Sequence, residues 1–325
     1  MENNEHNKPI VINASGRPFI PYRFRDTGLK KLIILPDYSP SRGRLPVGTV
    51  AVFDKNNHVP SPEYLGPDIG CGMLFAKFDN PVGGDELKQI AYQVSGDFQL
   101  ATNILGSLGS GNHFIMFYGA VNSEVPLLKE GDNVVLIHTG SRQKGVEVFN
   151  SCLVGVDYLN AYNKAKEYAE LNRSKLFFML KEYVAEITGK DLICLNEQVH
   201  NSVEVDCQNI TYRKGAMKLQ NPNDIGVIPS SMAGEALVVK PKPAISDLEW
   251  SICHGTGRVI SRKDAKQVSF DSTDIRQKII IPQYISDDFI LTERPECYRR
   301  LKDIEQQIKD YVKIVARLSP KAFVI

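Results

Sequence analysis

The sequence predicts an α+β fold organised around mixed β-sheet. Short apolar runs punctuated by glycine and proline outnumber stretches of helical spacing, and the two kinds do not alternate as βαβ units would. A composition of 42% hydrophobic and 24% charged residues over 325 positions suffices for a full core. In chain order, residues 32–35, 47–53 and 73–78 read as strands, 85–94 as a short helix and 133–137 as another strand. Residues 157–189 carry apolar side chains at helical spacing, at Leu159, Tyr162, Ala165, Tyr168 and Ala169 and then through 176–180. Runs at 192–195, 225–228, 236–239, 250–253 and 279–281 follow as strands, and 300–318 reads as a closing helix. No repeat, low-complexity tract or Gly/Ser linker divides the chain. Residues 1–325 are therefore expected to form one unit, with 1–8 as a flexible terminus.

Lys and Arg number 39 against 38 Asp and Glu, so whole-molecule charge does not draw this protein to nucleic acid or an anionic membrane; a polyanion must be met by a local patch. The longest apolar runs are far shorter than a bilayer-spanning helix needs, and the N-terminus has neither the basic nor the apolar region of a secretory signal. The expected location is the cytoplasm, with no membrane partner and a monomeric state. The cysteines at 71, 152, 194, 207, 253 and 297 form no C-x-x-C pair and are expected to be reduced; Cys152, Cys194 and Cys297 read as small buried hydrophobes.

Four of the six histidines fall in similar short contexts, Gly111-Asn112-His113, Ile137-His138-Thr139-Gly140, Val199-His200-Asn201 and Cys253-His254-Gly255, and His138 and His254 each follow an apolar run and precede a glycine turn. A lone histidine in such a place is best read as a hydrogen-bonded core residue, but four of them point to a shared metal or catalytic site. His6 and His58 sit in polar segments and read as solvated bystanders. Gly66-Pro-Asp68-Ile-Gly-Cys71-Gly-Met adds a carboxylate and a thiol, three residues apart, in a glycine-rich loop before a strand. Alone, that would be a turn with a buried cysteine. With the histidines, Asp68, Cys71, His113, His138 and His200 become a set able to hold two metal ions that share Cys71. The residue types do not choose between zinc and manganese or magnesium. The loops 106–111 and 254–258 are built of small residues whose N–H groups can approach phosphate oxygens, with Arg142 and Arg258 available for bidentate contacts. No P-loop and no lysine-centred nucleotidyl-transfer motif is present.

Asp68-Ile-Gly-Cys71-Gly-Met, Gly109-Ser-Gly-Asn112-His113-Phe-Ile, His138-Thr-Gly-Ser-Arg142, His200-Asn201, Arg213-Lys-Gly-Ala216, Ile228-Pro-Ser-Ser231-Met232 and His254-Gly-Thr-Gly-Arg258 resemble, in order, the signature blocks of the RtcB RNA ligases. Leu35-Pro36-Asp37 and Glu293-Arg-Pro-Glu-Cys-Tyr298 are similar to further RtcB segments, so the likeness runs over roughly residues 30–320. The resemblance implies an RtcB-like fold with a deep central metal-binding cleft. It also implies a ligase, dependent on GTP and two Mn2+, that joins an RNA 3′-phosphate or 2′,3′-cyclic phosphate to a 5′-hydroxyl. In that reading His254 takes GMP; one metal is held by Asp68, Cys71 and His113, and the other by Cys71, His138 and His200. The nucleotide meets Asn112, His113, His200 and Asn201, the turn of Pro229, Ser230, Ser231 and Met232, the loop of His254, Gly255, Thr256 and Gly257, and Tyr298. Arg142 and Arg258 anchor phosphates.

The chain departs from the family pattern at the base pocket. Met116 stands where the family places a guanine-reading glutamate, Ala236 replaces a serine, Ile325 ends the chain in place of a lysine, and Asp37-Tyr38-Ser39 lacks a histidine two places after the aspartate. GTP is accordingly expected to be discriminated from ATP less sharply, unless another side chain such as Lys321 substitutes. The competing functions are a two-metal RNA-end phosphoesterase and a non-catalytic RNA-end-binding protein.

Overall fold

The computed structural model describes residues 9–17, 28–98, 105–109, 113–268 and 270–325; the 1–8 terminus, His6 and Asn112 fall outside these. The elements run β1 (Ile10–Asn13), β2 (Leu29–Ser39), β3 (Val47–Asp54), α1 (Pro62–Leu65), β4 (Gly72–Phe78), α2 (Gly84–Phe98), β5 (Phe114–Ser123) and β6 (Asn133–Thr139). Next come α3 (Gln143–Phe149), α4 (Gly155–Thr188), β7 (Leu192–Val199), β8 (Asn201–Val205), β9 (Asn209–Lys214), β10 (Ala216–Lys218), β11 (Gly226–Pro229), β12 (Ala236–Pro241) and β13 (Ser251–Cys253). The chain closes with α5 (Arg262–Ala265), α6 (Thr273–Lys278), α7 (Asp287–Glu293), α8 (Leu301–Ile308) and β14 (Val312–Val324). The α+β class is as the sequence predicts. No described helix is long and apolar enough to cross a membrane.

An antiparallel seven-stranded sheet has the order β11-β12-β14-β5-β6-β4-β7, and a five-stranded sheet, parallel only between β1 and β2, has the order β1-β2-β3-β9-β8. Because successive strand residues face opposite ways, each central strand serves two cores. On one face of the larger sheet, Leu74, Ala76, Ile115, Phe117, Val135 and Ile137 pack under α2 and α4. On the other, Met73, Phe75, Met116, Tyr118, Val134 and Leu136 share a core with Ile33, Leu35 and Val50 of the smaller sheet. His138 continues the 134–136 row and Asp37 continues the 33–35 row, so strand alternation alone points both into the space between the sheets.

Several expectations need correction. Residues 300–318 are not one helix: α8 ends at Ile308, and from Val312 the chain is β14, which pairs with both β12 and β5. Ile304 and Ile308 fit a helix, but Val312, Ile314 and Val315 are β-branched and gain two strand partners, which outweighs a helical spacing. Residues 279–281 form only a single bridge, Ile280 to Ala322. Phe114–Ser123 is a strand that short apolar runs did not reveal, because Tyr118, Gly119 and Asn122 interrupt its apolarity. Cys152 and Cys194 are exposed rather than buried, the first in a turn at φ 56° and the second on edge strand β7. His58 is no solvated bystander: it is buried, stacked 3.9 Å from the Phe53 ring, with Nε2 3.0 Å from the Tyr212 hydroxyl.

Candidate functional site

Strand register brings together the side chains that the sequence separates. Gly72, next to Cys71, pairs with Thr139 on one side and Val199 on the other, and these are the neighbours of His138 and His200. His113 immediately precedes Phe114, whose partner is His138. Cys71 Sγ lies 3.1 Å from His138 Nε2 and 3.8 Å from His113 Nε2; His138 Nε2 is 3.3 Å from His200 Nε2, and Asp68 Oδ1 is 3.6 Å from His113 Nε2. Two groups result, Asp68-Cys71-His113 and Cys71-His138-His200, each with ligand atoms within 4.8 Å of one another and with Cys71 common to both.

His113 Nδ1 donates to the Leu108 carbonyl at 2.8 Å, which fixes the tautomer and leaves Nε2 as an acceptor turned towards a carboxylate and a sulfur. Acceptors that face acceptors in a buried place call for a cation. Burial, reinforced by Asp68, pushes the Cys71 thiol well up, and burial together with the neighbouring His254 and His138 pushes His200 well down.

Helix α4 braces this cluster with two polar residues in its buried stripe. Arg173, fully buried, donates from Nη1 to the carbonyls of Gly70 at 2.7 Å and Thr139 at 2.9 Å, and from Nε to Glu197 at 2.6 Å. Asn172 Oδ1 accepts from the Gly106 N–H at 2.8 Å, and its amide donates to the Ser107 carbonyl at 3.0 Å. Arg173→Leu is expected to destabilise the fold by about 3 kcal/mol, since it orphans two buried carbonyls and a carboxylate; urea unfolding measures it, and a loss below about 1 kcal/mol would contradict the bracing role.

His254 follows β13 and faces the cluster, its ring 4.4 Å from that of His200 and 6.4 Å from that of His138. Its Nδ1 donates to Asp37 Oδ2 at 2.8 Å, with the Gly215 carbonyl at 3.1 Å, so Nε2 carries the free lone pair. Asp37 is completely buried. Gly48, at φ 74°, lies against it, and a Cβ there would collide with Asp37 Oδ1. Asn201 ties the two halves of the site together: its amide donates to the Asp68 carbonyl at 2.9 Å, and its oxygen accepts from the Gly215 N–H at 2.7 Å.

A family model described as tRNA-splicing ligase RtcB matches residues 83–156 and 150–325. The chain belongs to the RtcB family. Among curated RtcB proteins, the RNA-splicing ligase RtcB2 of Escherichia coli is 26% identical over 344 residues, covering 90% of this chain and 87% of the relative. The tRNA-splicing ligase RtcB of Pyrococcus abyssi is 27% identical over 281 residues, and the RNA-splicing ligase RtcB of Mycobacterium tuberculosis is 28% identical over 280. Each of these two matches covers 66% of this chain, but only 31% of the Pyrococcus protein and 63% of the mycobacterial one. The RtcB model match begins after Asp68 and Cys71, so their place in the cluster rests on geometry.

As the RtcB resemblance implies, the cluster opens into a cleft, of about 690 Å³, bordered by Asp68, His113, His138, Arg142, Lys214, Pro229, Ser230, Ser231, Met232, His254, Gly255, Thr256, Gly257, Arg258 and Tyr298. Arg142, at φ 55°, reaches back to Ser107 and so couples the 105–109 loop to the cleft. Arg258 borders the cleft with its guanidinium engaged by protein groups. Its guanidinium donates to Glu293, to the Tyr298 hydroxyl at 2.9 Å and to the Thr292 and Ile260 carbonyls, and it lies over the Tyr298 ring. Arg262, also held by Glu293, at 2.8 Å, borders the same wall. Lys321 borders a separate cleft with Lys88, Tyr92 and Lys278.

Sequence reasoning missed Asp37, Lys214, Glu293, Arg262 and the Asn172-Arg173 pair as site residues. The last was readable, as a polar interruption of the stripe formed by Ala165, Ala169, Leu176 and Leu180.

Proposed function

We propose that this chain is a GTP- and manganese-dependent RNA ligase that joins 3′-phosphate or 2′,3′-cyclic phosphate ends to 5′-hydroxyl ends through a guanylate carried on His254. The observation that carries the proposal is His254 itself: its Nδ1 is held by Asp37, and its Nε2 is turned to a cluster of metal-ligand side chains. The ligand set fits two divalent cations: Asp68, Cys71 and His113 would hold one, and Cys71, His138 and His200 the other, Cys71 being common to both groups. Such ions would neutralise phosphate charge and orient the leaving group.

His254 Nε2 attacks the α-phosphorus; an N–P bond forms, the P–O bond to pyrophosphate breaks, and the ring becomes cationic. Asp37 fixes the tautomer before attack and stabilises that cation afterwards, as a buried carboxylate does for a histidine base. Arg142 and the N–H groups of the 254–257 loop hold phosphate oxygens. A 2′,3′-cyclic end would first be opened by water to the 3′-phosphate; a 3′-phosphate oxygen then takes the guanylate as the N–P bond breaks, and the 5′-hydroxyl attacks the 3′-phosphorus and releases GMP. The chemistry named for the RtcB relatives supports the RNA substrate class.

Asp37→Asn is expected to slow nucleotide transfer to His254 by about 10²-fold with the metals retained, because an amide no longer enforces a donor at Nδ1 or offsets the cation; single-turnover labelling checks it. The function is tested with two RNAs, one ending in 3′-phosphate and one beginning with 5′-hydroxyl, incubated with GTP and Mn2+. Joined product is expected, and it should vanish on chelation. Loss of the terminal phosphate without joining would replace the ligase with the phosphoesterase.

A further inference from the structure

Asp37 is completely buried; its Oδ2 accepts from His254, and its Oδ1 has no hydrogen-bond partner among the described residues. A carboxylate so placed needs a cation close by if it is to stay ionised. Two arginines supply one each. Arg17 Nη2 donates to the carbonyls of Pro36 at 2.9 Å and Tyr38 at 3.2 Å, and Arg299 Nη2 donates to the Tyr38 carbonyl at 2.7 Å. Pro36 and Tyr38 are the two residues that flank Asp37. Arginines that are partly buried usually pair with a carboxylate, but the hydrogen bonds of these two go to backbone carbonyls, and neither forms an ion pair among the described residues. Burial and the nearness of Arg17 push the Arg299 guanidinium down to about 10, against the opposing pull of Asp37. Arg299 is also tied to the loop that carries His254: its N–H donates to the Gly257 carbonyl at 3.0 Å, and its Nη1 reaches the Thr256 carbonyl at 3.5 Å. Gly257, at φ 73°, leaves room for this crossing, since a Cβ there would collide with both Arg299 Nη1 and the Asp37 carbonyl. Neither arginine lines the cleft, so neither is placed to bind the nucleotide.

We infer that Arg299, assisted by Arg17, is a positioning residue for the nucleophile: it offsets the charge of the buried Asp37 carboxylate, holds Asp37 against the 254–257 loop, and so acts on His254 through Asp37. The inference rests on the nucleotidyl-transfer reading above and adds what keeps its carboxylate charged and in place. Without the two guanidinium groups, a buried carboxylate with one oxygen unpaired is stabilised by His254 alone, and it gains by taking up a proton or by shifting towards solvent. Either change costs His254 the acceptor that fixes its tautomer.

The test is single-turnover labelling of the Mn2+-loaded protein by GTP in the wild type, Arg299→Met, Arg299→Lys and Arg17→Met, and in Arg299→Met and Arg17→Met each combined with Asp37→Asn. At saturating GTP, Arg299→Met should slow labelling by about tenfold while the GTP concentration for half-maximal rate stays within about twofold, because orientation of the nucleophile is lost and no contact to the nucleotide is. Arg299→Lys keeps the charge and should recover most of the rate; Arg17→Met should slow labelling in the same direction. In the Asp37→Asn background, Arg299→Met should cost less than about threefold, since no carboxylate remains for it to act through. An equal loss in both backgrounds would mean that Arg299 merely braces the fold and would overturn the inference, as would a wild-type rate in Arg299→Met. Should Arg299→Met fail to fold, Arg17→Met carries the same comparison, slowed with Asp37 present and not with Asn in its place. No label on the wild type would remove the nucleotidyl-transfer reading itself, whereas a labelled wild type with any of the contrary outcomes removes this inference alone.

Discussion

His254→Ala will fold, keep its metals and take up no nucleotide. The side chain is only partly buried, at the mouth of the 254–257 loop, so its loss leaves no large cavity, and none of the proposed metal-ligand contacts depends on it. What disappears is the one nitrogen with a lone pair turned to the cleft and a buried carboxylate behind it. Loss of a nucleophile lowers turnover by roughly 10⁶-fold in comparable covalent systems, below detection in a gel assay. Autoradiography after incubation with labelled GTP reads the outcome; label at the wild-type level would remove His254 from the mechanism.

Cys71→Ser is expected to empty both metal positions together. Cys71 is the one side chain common to the two ligand groups, and serine's hydroxyl does not ionise near neutral pH as a thiol beside cations does. Elemental analysis after dialysis should fall from two ions per chain towards none, and RNA joining should fall by more than about 10²-fold. The volumes are similar, so the fold should survive, held at Gly70 and Thr139 by Arg173. Retention of both ions would mean that Cys71 is core filler. Loss of one alone would mean that it serves a single site.

The ligand set and the nucleophile could be read in the sequence because their context is local: glycine loops and strand ends each carry one histidine, thiol or carboxylate. The parts that were not legible depend on distant partners. Asp37 and His254 are 217 positions apart, and only the pairing of β2, β3 and β9, with Gly215 after β9, brings them together. Arg258 looks in the sequence like any arginine after a glycine loop; Glu293 and Tyr298, arriving from the far side of α7, decide that it braces a wall. The 300–318 segment was misread because an apolar spacing that suits a helix also suits a strand with partners on both edges, and the partners β5 and β12 lie far away in the sequence.

The most direct test of the account is to map the covalent adduct formed from GTP by peptide mass spectrometry of the Mn2+-treated protein. Lys214 makes the test sharp, because it is a buried amine bordering the same cleft, its pKa pulled down by burial against the opposing pull of Asp68 and Cys71, and desolvated lysines are competent nucleophiles. The account predicts a single acid-labile guanylate on His254, absent from His254→Ala and slow to form in Asp37→Asn. A guanylate on Lys214, or one that persists in His254→Ala, would contradict it.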